Sequence, residues 1–526
     1  MLIGDFLCPH VKLIFIFNYT ITIMKIRNFI FGSVLTLIAI SCNKNIIESE
    51  RITPLTQLKA GTIGTISYVS TKGNDNNTGT LAAPYLTIQK AVDSAIAGDT
   101  IYVREGTYYP TTAITFYLHN GTSVSPIQLM AYPGEYPVID GGVCTSANLI
   151  LTWNNYINMT GFELRNGTGA GITMIGQHCT VGHMIVHDFS GNGITANGDY
   201  SVVEDCLVYN TAMSNYANPG SGINGSGISA CRGTQTTGDM TTDYAIIRRN
   251  IVHDIWGEGI SIFEATYSTM EDNTMYNGWS ANIYISDATH ILCQRNLVYQ
   301  TKTMLNGSQI GIMGGDEKLT PPSSYNTFVC NIVYGCTRNF TFWGSNGASG
   351  MNNFVIANNT FVSATGPANV WLINANAINT IFKNNIVYQP SGSTPPVYVS
   401  GATPGITYSN NLWLNYPKSP YTYVIGTGDV NGDPLFANLA SPYIAESYQL
   451  NGSSPAINKG VNVGLTSDYL GNPITGLPDI GAYEYQGALK VTNYNVQACA
   501  TATRNDCVTD FTGSTFDTIA ANKIAP

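Results

Sequence analysis

The chain has 526 residues and a formal net charge of −10, which excludes the basic face that nucleic-acid binding needs. Only 11% of residues are charged, against 53 Gly and 32 Tyr. That balance fits a turn-rich, β-rich exported protein better than a cytosolic enzyme.

The first 42 residues read as a targeting region. Met24-Lys25-Ile26-Arg27 gives a basic start, Asn28 to Ile40 is mostly apolar, and Ala39-Ile40-Ser41-Cys42 follows. The apolar run from Phe29 to Ile40 is too short to span a bilayer. The segment resembles a bacterial lipoprotein signal. That implies initiation at Met24, lipidation of Cys42 and residence at the outer membrane or cell surface, with the membrane met through the lipid only. Residues 43–65 are a polar tether, and Glu48 and Glu50 within it weakly resemble surface-export signals.

Residues 68–109 form the next block. Pro84 is placed to open a helix, Leu86, Ile88, Ala91, Val92, Ala95 and Ile96 make one apolar face, and Gly98 stops it before Asp99-Thr-Ile-Tyr-Val103. Such an amphipathic helix covers the open end of a stacked sheet, where unpaired edge groups invite aggregation. The block resembles the N-terminal cap of many secreted β-helix proteins.

From there a phrase repeats. Asn250, Asn273, Asn296, Asn331, Asn359, Asn385 and Asn411 each open a version of Asn-Ile-Val-Tyr, at steps of 23, 23, 35, 28, 26 and 26 residues. Phe162, Met184 and Cys206 hold the equivalent place upstream. A period near 22–23 with insertions marks a solenoid, since one unit cannot bury its own apolar face. Asn tolerates the left-handed backbone of a sharp turn, and its amide can bond the Asn of the next coil. Short β-branched and aromatic runs punctuated by Gly, Asn and Asp give three strands per coil. The expected fold is therefore all-β, a single-stranded right-handed parallel β-helix over residues 66–425 with an N-terminal amphipathic capping helix, expected as a monomer. These phrases resemble the pectin-lyase-like superfamily.

Eleven cysteines are present, but Cys179, Cys206, Cys293 and Cys330 fall within the repeated phrases and read as buried thiols. No C-x-x-C pair exists, which argues against zinc. Cys499 and Cys507 are candidates to pair in the tail.

Aligning coils on the Asn places Ile194, Ile228, Ile260, Ile283, Ile310, Phe340 and Val370 inward. One outward face then carries Phe263, Tyr284, Trp343 and Trp371, aromatic residues suited to stacking on sugar rings. The adjoining column reads Gly198, Arg232, Glu264, Asp287, Gly314, Gly344 and Asn374. Adjacent carboxylates cannot both ionise freely. Glu264 and Asp287 are thus candidates for an acid and nucleophile pair, for Ca²⁺ ligands, or for a surface salt-bridge stack with Arg232. Glu258 and Asn282 enter the same groove, Glu258 as a further catalytic candidate and Asn282 as a substrate contact. Lys302 and Lys318 lie in the insertion that would wall it. His187 and His253 share a column with Tyr209, Tyr276 and Tyr299, which reads as an aromatic stack.

Residues 426–487 include Asp433-Pro-Leu-Phe436, Ser454-Pro-Ala-Ile-Asn458 and Asp479-Ile-Gly-Ala-Tyr-Glu484. They resemble the choice-of-anchor segment of bacterial β-helix proteins and read as a structural cap. Residues 488–526 resemble an incomplete tail module. The superfamily resemblance implies a polysaccharide partner. No Asp-Asp-Gly cluster, Arg-Pro motif, paired aspartates joined to a Gly-His element, or Asp-Pro-His matches a catalytic subfamily. Two functions are expected from the column: a polysaccharide-cleaving enzyme, hydrolase slightly over lyase, or a glycan-binding or adhesive surface protein.

Overall fold

The computed structural model describes residues 64–217, 225–231, 242–317, 323–344, 350–373, 376–390, 394–400 and 405–487, with the backbone of 498–499 and 507–508. Cys42, Arg232, Lys318 and Asn374 lie outside these residues, as does the targeting region.

Three parallel sheets run the length of the molecule. Sheet 1 has 13 strands from Ile66–Val69 to Ile406–Ser409, sheet 2 has 11 from Ile114–Phe116 to Val397–Val399, and sheet 3 has 13 from Thr107–Tyr108 to Val430–Asn431. Each complete coil contributes one strand to each sheet. Alternation decides the interior: Ile228, Ile260, Ile283, Ile312, Phe340, Val370 and Val397 pair in one buried column of sheet 2.

The expected Asn stack is present and fully buried. Asn250 donates to Asn273, and the pattern continues through Asn296, Asn331, Asn359 and Asn385 to Asn411, with amide-to-oxygen distances of 2.9–3.2 Å. Asp429 ends the ladder, accepting from the Asn411 backbone and from the Trp413 indole. One detail differs from expectation. The left-handed residue is the one before each Asn, namely Arg249, Asp272, Arg295, Cys330, Asn358, Asn384 and Asn410, at φ between 51° and 57°. The ladder Asn is selected by its side chain, which bonds both to the next coil and to a backbone carbonyl.

The capping helix is shorter than expected. It spans Ile88–Ser94, and Thr87 rather than Pro84 opens it by accepting the Lys90 amide. Ile88, Ala91 and Val92 bury, whereas Leu86 and Ile96 fall outside the helix and stay exposed. The cysteines of the repeated phrases are free and buried, as read from their place. Burial pushes the Cys206 thiol up to about 12, so it is inert at neutral pH.

Residues 433–487 do not sit over the end of the β-helix. They lie along the outside of sheet 3, where Ala445, Tyr448, Ala482 and Tyr483 pack on Leu297, Ile332 and Val362. They are tied to successive turns by Asn358 to Asp479, Asn384 to Val461 and Asn410 to Lys459. Asp468, Asp479 and Glu484 are buried and accept backbone amides of their own segment. That is the turn-fixing role expected of them. The stack of His187, Tyr209, His253, Tyr276 and Tyr299 is also as expected, with ring centroids 4.6–5.2 Å apart. Lys302 bonds Asp254 at 2.7 Å beside His253, so its charge is spent there.

Candidate carboxylate groove on sheet 2

Sheet 2 carries the candidate residues on six strands: Ser226–Cys231, Glu258–Phe263, Ala281–Ser286, Ile310–Asp316, Phe340–Gly344 and Val370–Leu372. The fourth strand pairs Ile312, not Ile310, with Ile283. The expected register was thus two residues out in this coil. A slip of two preserves inside–outside alternation, and Ile310 and Ile312 are equally apolar, so nothing local distinguishes the two alignments.

The correction changes the charged column. Beyond Phe263, Ser286, Gly315 and Trp343 it reads Glu264, Asp287, Asp316 and Gly344. Asp316 stands where Gly314 was expected, so three carboxyl groups stack on consecutive coils. They are not on an open face: Glu264 is 7% exposed, Asp287 0% and Asp316 2%. Glu264 and Asp287 have φ of 49° and 51°, so the chain turns at this column and carries the side chains off the flat sheet. Ser286 Oγ and the Glu317 amide donate to Asp287 Oδ2 at 2.8 and 3.4 Å. Burial first, then the Asp287 carboxylate with which it is hydrogen-bonded, pushes Asp316 up to about 6. Among the described residues no three His, Cys, Asp or Glu side chains converge to hold a metal ion. Asp287 faces a carboxyl partner, Asp316.

The groove proper lies beside this column. Tyr284 crosses from its own strand over Gly315, where an added Cβ would meet its hydroxyl at 2.9 Å. Only glycine leaves room for the ring to lie there. Its hydroxyl donates to Glu317 Oε1 at 2.5 Å. Burial, and donation to Glu317, push the phenol well above its ordinary value, which keeps the donor protonated. Glu258 is half-buried and near enough to Glu317 to feel its charge. Burial, with the Glu317 charge adding to it, pushes Glu258 up to about 7, although Ser280 bonds it. Phe263, Trp343 and Trp371 are half-buried on this face, and Phe263 and Trp343 pack on Tyr284 and Met313.

Asn282 is not a groove residue. It is fully buried; its Oδ1 accepts the Gly278 backbone amide and its Nδ2 donates to the Ile310 carbonyl. Conversely, Asp316, Glu317 and Arg338 were missed by the sequence reading, the first because of the register and the second because it follows the strand end. The pocket lined by Asn358, Asn462, Leu465 and Ile474 lies at the seam with the C-terminal segment and has no titratable side chain among its lining.

The raised pKa of Glu258 sets a stability test. Its folded value, about 7, exceeds its ordinary 4.5, so the protonated carboxyl is the form the fold prefers. The stability this contributes is complete below about pH 4.5 and is lost as pH rises through about 7. The Glu258→Gln variant should therefore gain thermal midpoint relative to the parent between pH 5 and pH 8, in scans at matched ionic strength. A difference independent of pH would place the carboxyl in water.

Comparison with known proteins locates this architecture. Residues 67–289 match the family model described as Pel9A-like, right handed beta helix region, a span that holds Glu258, Glu264 and Asp287 but ends before Asp316. A 74-residue stretch is 51% identical to pectate lyase PEL9 of Emericella nidulans, covering 14% of this chain and 18% of that protein. A 78-residue stretch is 41% identical to the uncharacterized protein YwoF of Bacillus subtilis, covering 15% and 16%. The chain thus aligns with less than a fifth of either curated relative. Among solved structures, XylC in complex with xylose superposes with a TM-score of 0.50 at 12% identity, over 80% of this chain and 98% of that one. Pectate lyase Pel9A gives 0.49 at 17% identity, over 80% and 97%. The chain is thus a right-handed parallel β-helix, of which residues 67–289 match the Pel9A-like right-handed beta-helix model.

Proposed function

We propose that the protein cleaves a polysaccharide on the outer face of sheet 2, with Glu258 as the proton donor and Glu317 as its carboxylate partner. The observation that carries the proposal is a half-buried carboxyl poised near neutrality, within reach of the charge of a second carboxylate that the Tyr284 hydroxyl holds. An acid with a pKa near the working pH is both protonated and able to give its proton up. A partner carboxylate serves as nucleophile or as base toward water, depending on its separation from the acid. The buried Asp287 accepts the Glu317 amide, so Glu264, Asp287 and Asp316 position the reacting pair rather than touch substrate. The pectate lyase relative supports a polysaccharide as the substrate class.

The test is product analysis on a polysaccharide panel. New reducing ends without ultraviolet-absorbing unsaturated uronates indicate hydrolysis, as two carboxyl groups favour; both together indicate elimination. The stacked Trp371 and Tyr398 favour a second reading, glycan capture without turnover. Release of neither product, with binding retained, would select it.

We also propose that the chain is an exported lipoprotein anchored through Cys42, on the strength of the basic and apolar residues before it. Cys42→Ser should leave the precursor unprocessed or free the protein from the membrane fraction. Unchanged attachment would remove the assignment.

A further inference from the structure

The six described arginines fall into two groups. Arg104, Arg165, Arg248, Arg249 and Arg295 each meet a carboxylate. Arg338 makes no ion pair, and its Nε is buried without a hydrogen-bond partner. It lies just before the Phe340–Gly344 strand, with the guanidinium 4.5 Å from the centre of the Trp371 ring. Trp371 in turn stacks on Tyr398, 4.1 Å away and inclined by 23°. Burial draws the Arg338 pKa down, the mark of a cation in want of a counter-charge.

Its neighbours share the deficit. Thr341 Oγ1, Trp371 Nε1 and Trp343 Nε1 are likewise buried without partners, Trp343 being turned towards the Tyr284 hydroxyl short of a hydrogen bond. Seven such side-chain atoms occur among the described residues, and four of them fall on these two adjoining strands or just before the first. All four can donate. An unmet buried donor is destabilising, so four in one patch are not explained by stability. Donors around a flat aromatic platform suit a ligand with an apolar ring face, an oxygen-rich edge and a negative charge.

We propose that Arg338, Thr341, Trp343 and Trp371, backed by Tyr398, form a subsite for an acidic sugar unit, one bearing a carboxylate or a sulfate ester. The ring stacks on Trp371 and the anionic group takes the guanidinium. The subsite rests on the reading of sheet 2 as a glycan groove, and it is independent of turnover. Counting back from the Ile312–Phe340 pair, Arg338 stands three coils beyond Glu258. At roughly 4.8 Å per coil that is about 14 Å along the helix axis, so the subsite selects the chain several units from the cleavage point.

The test is affinity electrophoresis of the full chain in gels holding polygalacturonate, alginate, chondroitin sulfate, carrageenan, xylan or galactomannan. Retardation is expected in at least one acidic gel. Arg338→Gln should weaken it by roughly 10- to 100-fold, Arg338→Lys should recover part, and Trp371→Ala should lose it, each at an unchanged thermal midpoint. Preference for the first two polymers assigns a carboxylate; preference for the next two assigns a sulfate. Binding of neutral polymers only, equal binding by Arg338→Gln, or no binding to any of the six would overturn the subsite. Arg338-dependent binding with no product released would overturn cleavage and leave the subsite standing.

Discussion

Glu258→Gln is expected to lower turnover by roughly 10²- to 10⁴-fold, the usual contribution of a positioned general acid, with polysaccharide binding retained. The amide keeps the shape and can bond Ser280, but has no proton to give to a leaving oxygen. In the parent protein the rate should fall as pH rises through about 7, because burial holds the acid protonated up to that point. Glu317→Gln should cost a comparable factor. Tyr284→Phe should cost less, since it loosens Glu317 without removing the carboxylate. Initial rates of reducing-end release between pH 5 and pH 9 measure all of these. Full activity in Glu258→Gln, or a rate that climbs through pH 7, would reject Glu258 as the acid.

Asn331→Ala is expected to be the most damaging single change to the fold. Asn331 is fully buried and donates to Asn359 Oδ1 at 3.0 Å and to the Cys293 carbonyl at 2.9 Å. Its own oxygen accepts the Asn296 amide side chain at 2.9 Å and backbone at 3.1 Å. Alanine breaks the ladder in both directions and leaves buried partners unmet, at about 1–3 kcal/mol each. Allowing for relaxation, about 3–6 kcal/mol of destabilisation follows, near the top of the range for point changes. The thermal midpoint should drop by several degrees. A midpoint within one degree of the parent would mean that the ladder accompanies the fold without supporting it.

The repeated Asn phrases were enough to specify the coil because every coil solves one local problem. The turn leaves polar backbone groups inside, and the Asn side chain meets them in the same way each time. Period, strand identity, buried thiols and the His and Tyr stack all followed from that repetition. The groove followed less well. Glu258 is half-buried and Tyr284 lies over Gly315, whereas Asn282 is turned inward and Glu264 and Asp287 are out of solvent.

The sequence alone therefore determined what is periodic in this protein: the parallel β-helix, its interior column and the polar ladder that staples its turns. Tertiary structure decided what depends on the pairing of one particular coil with the next. The insertion before Ile310 lets that strand engage Ile283 through Ile312. This register sets Asp316 beside Asp287, lays Tyr284 over Gly315 and brings Glu317 towards Glu258. Both registers keep apolar residues inside, so hydrophobic patterning scores them alike. Burial and the meeting of charges across strands, which separate them, exist only once the coils are stacked.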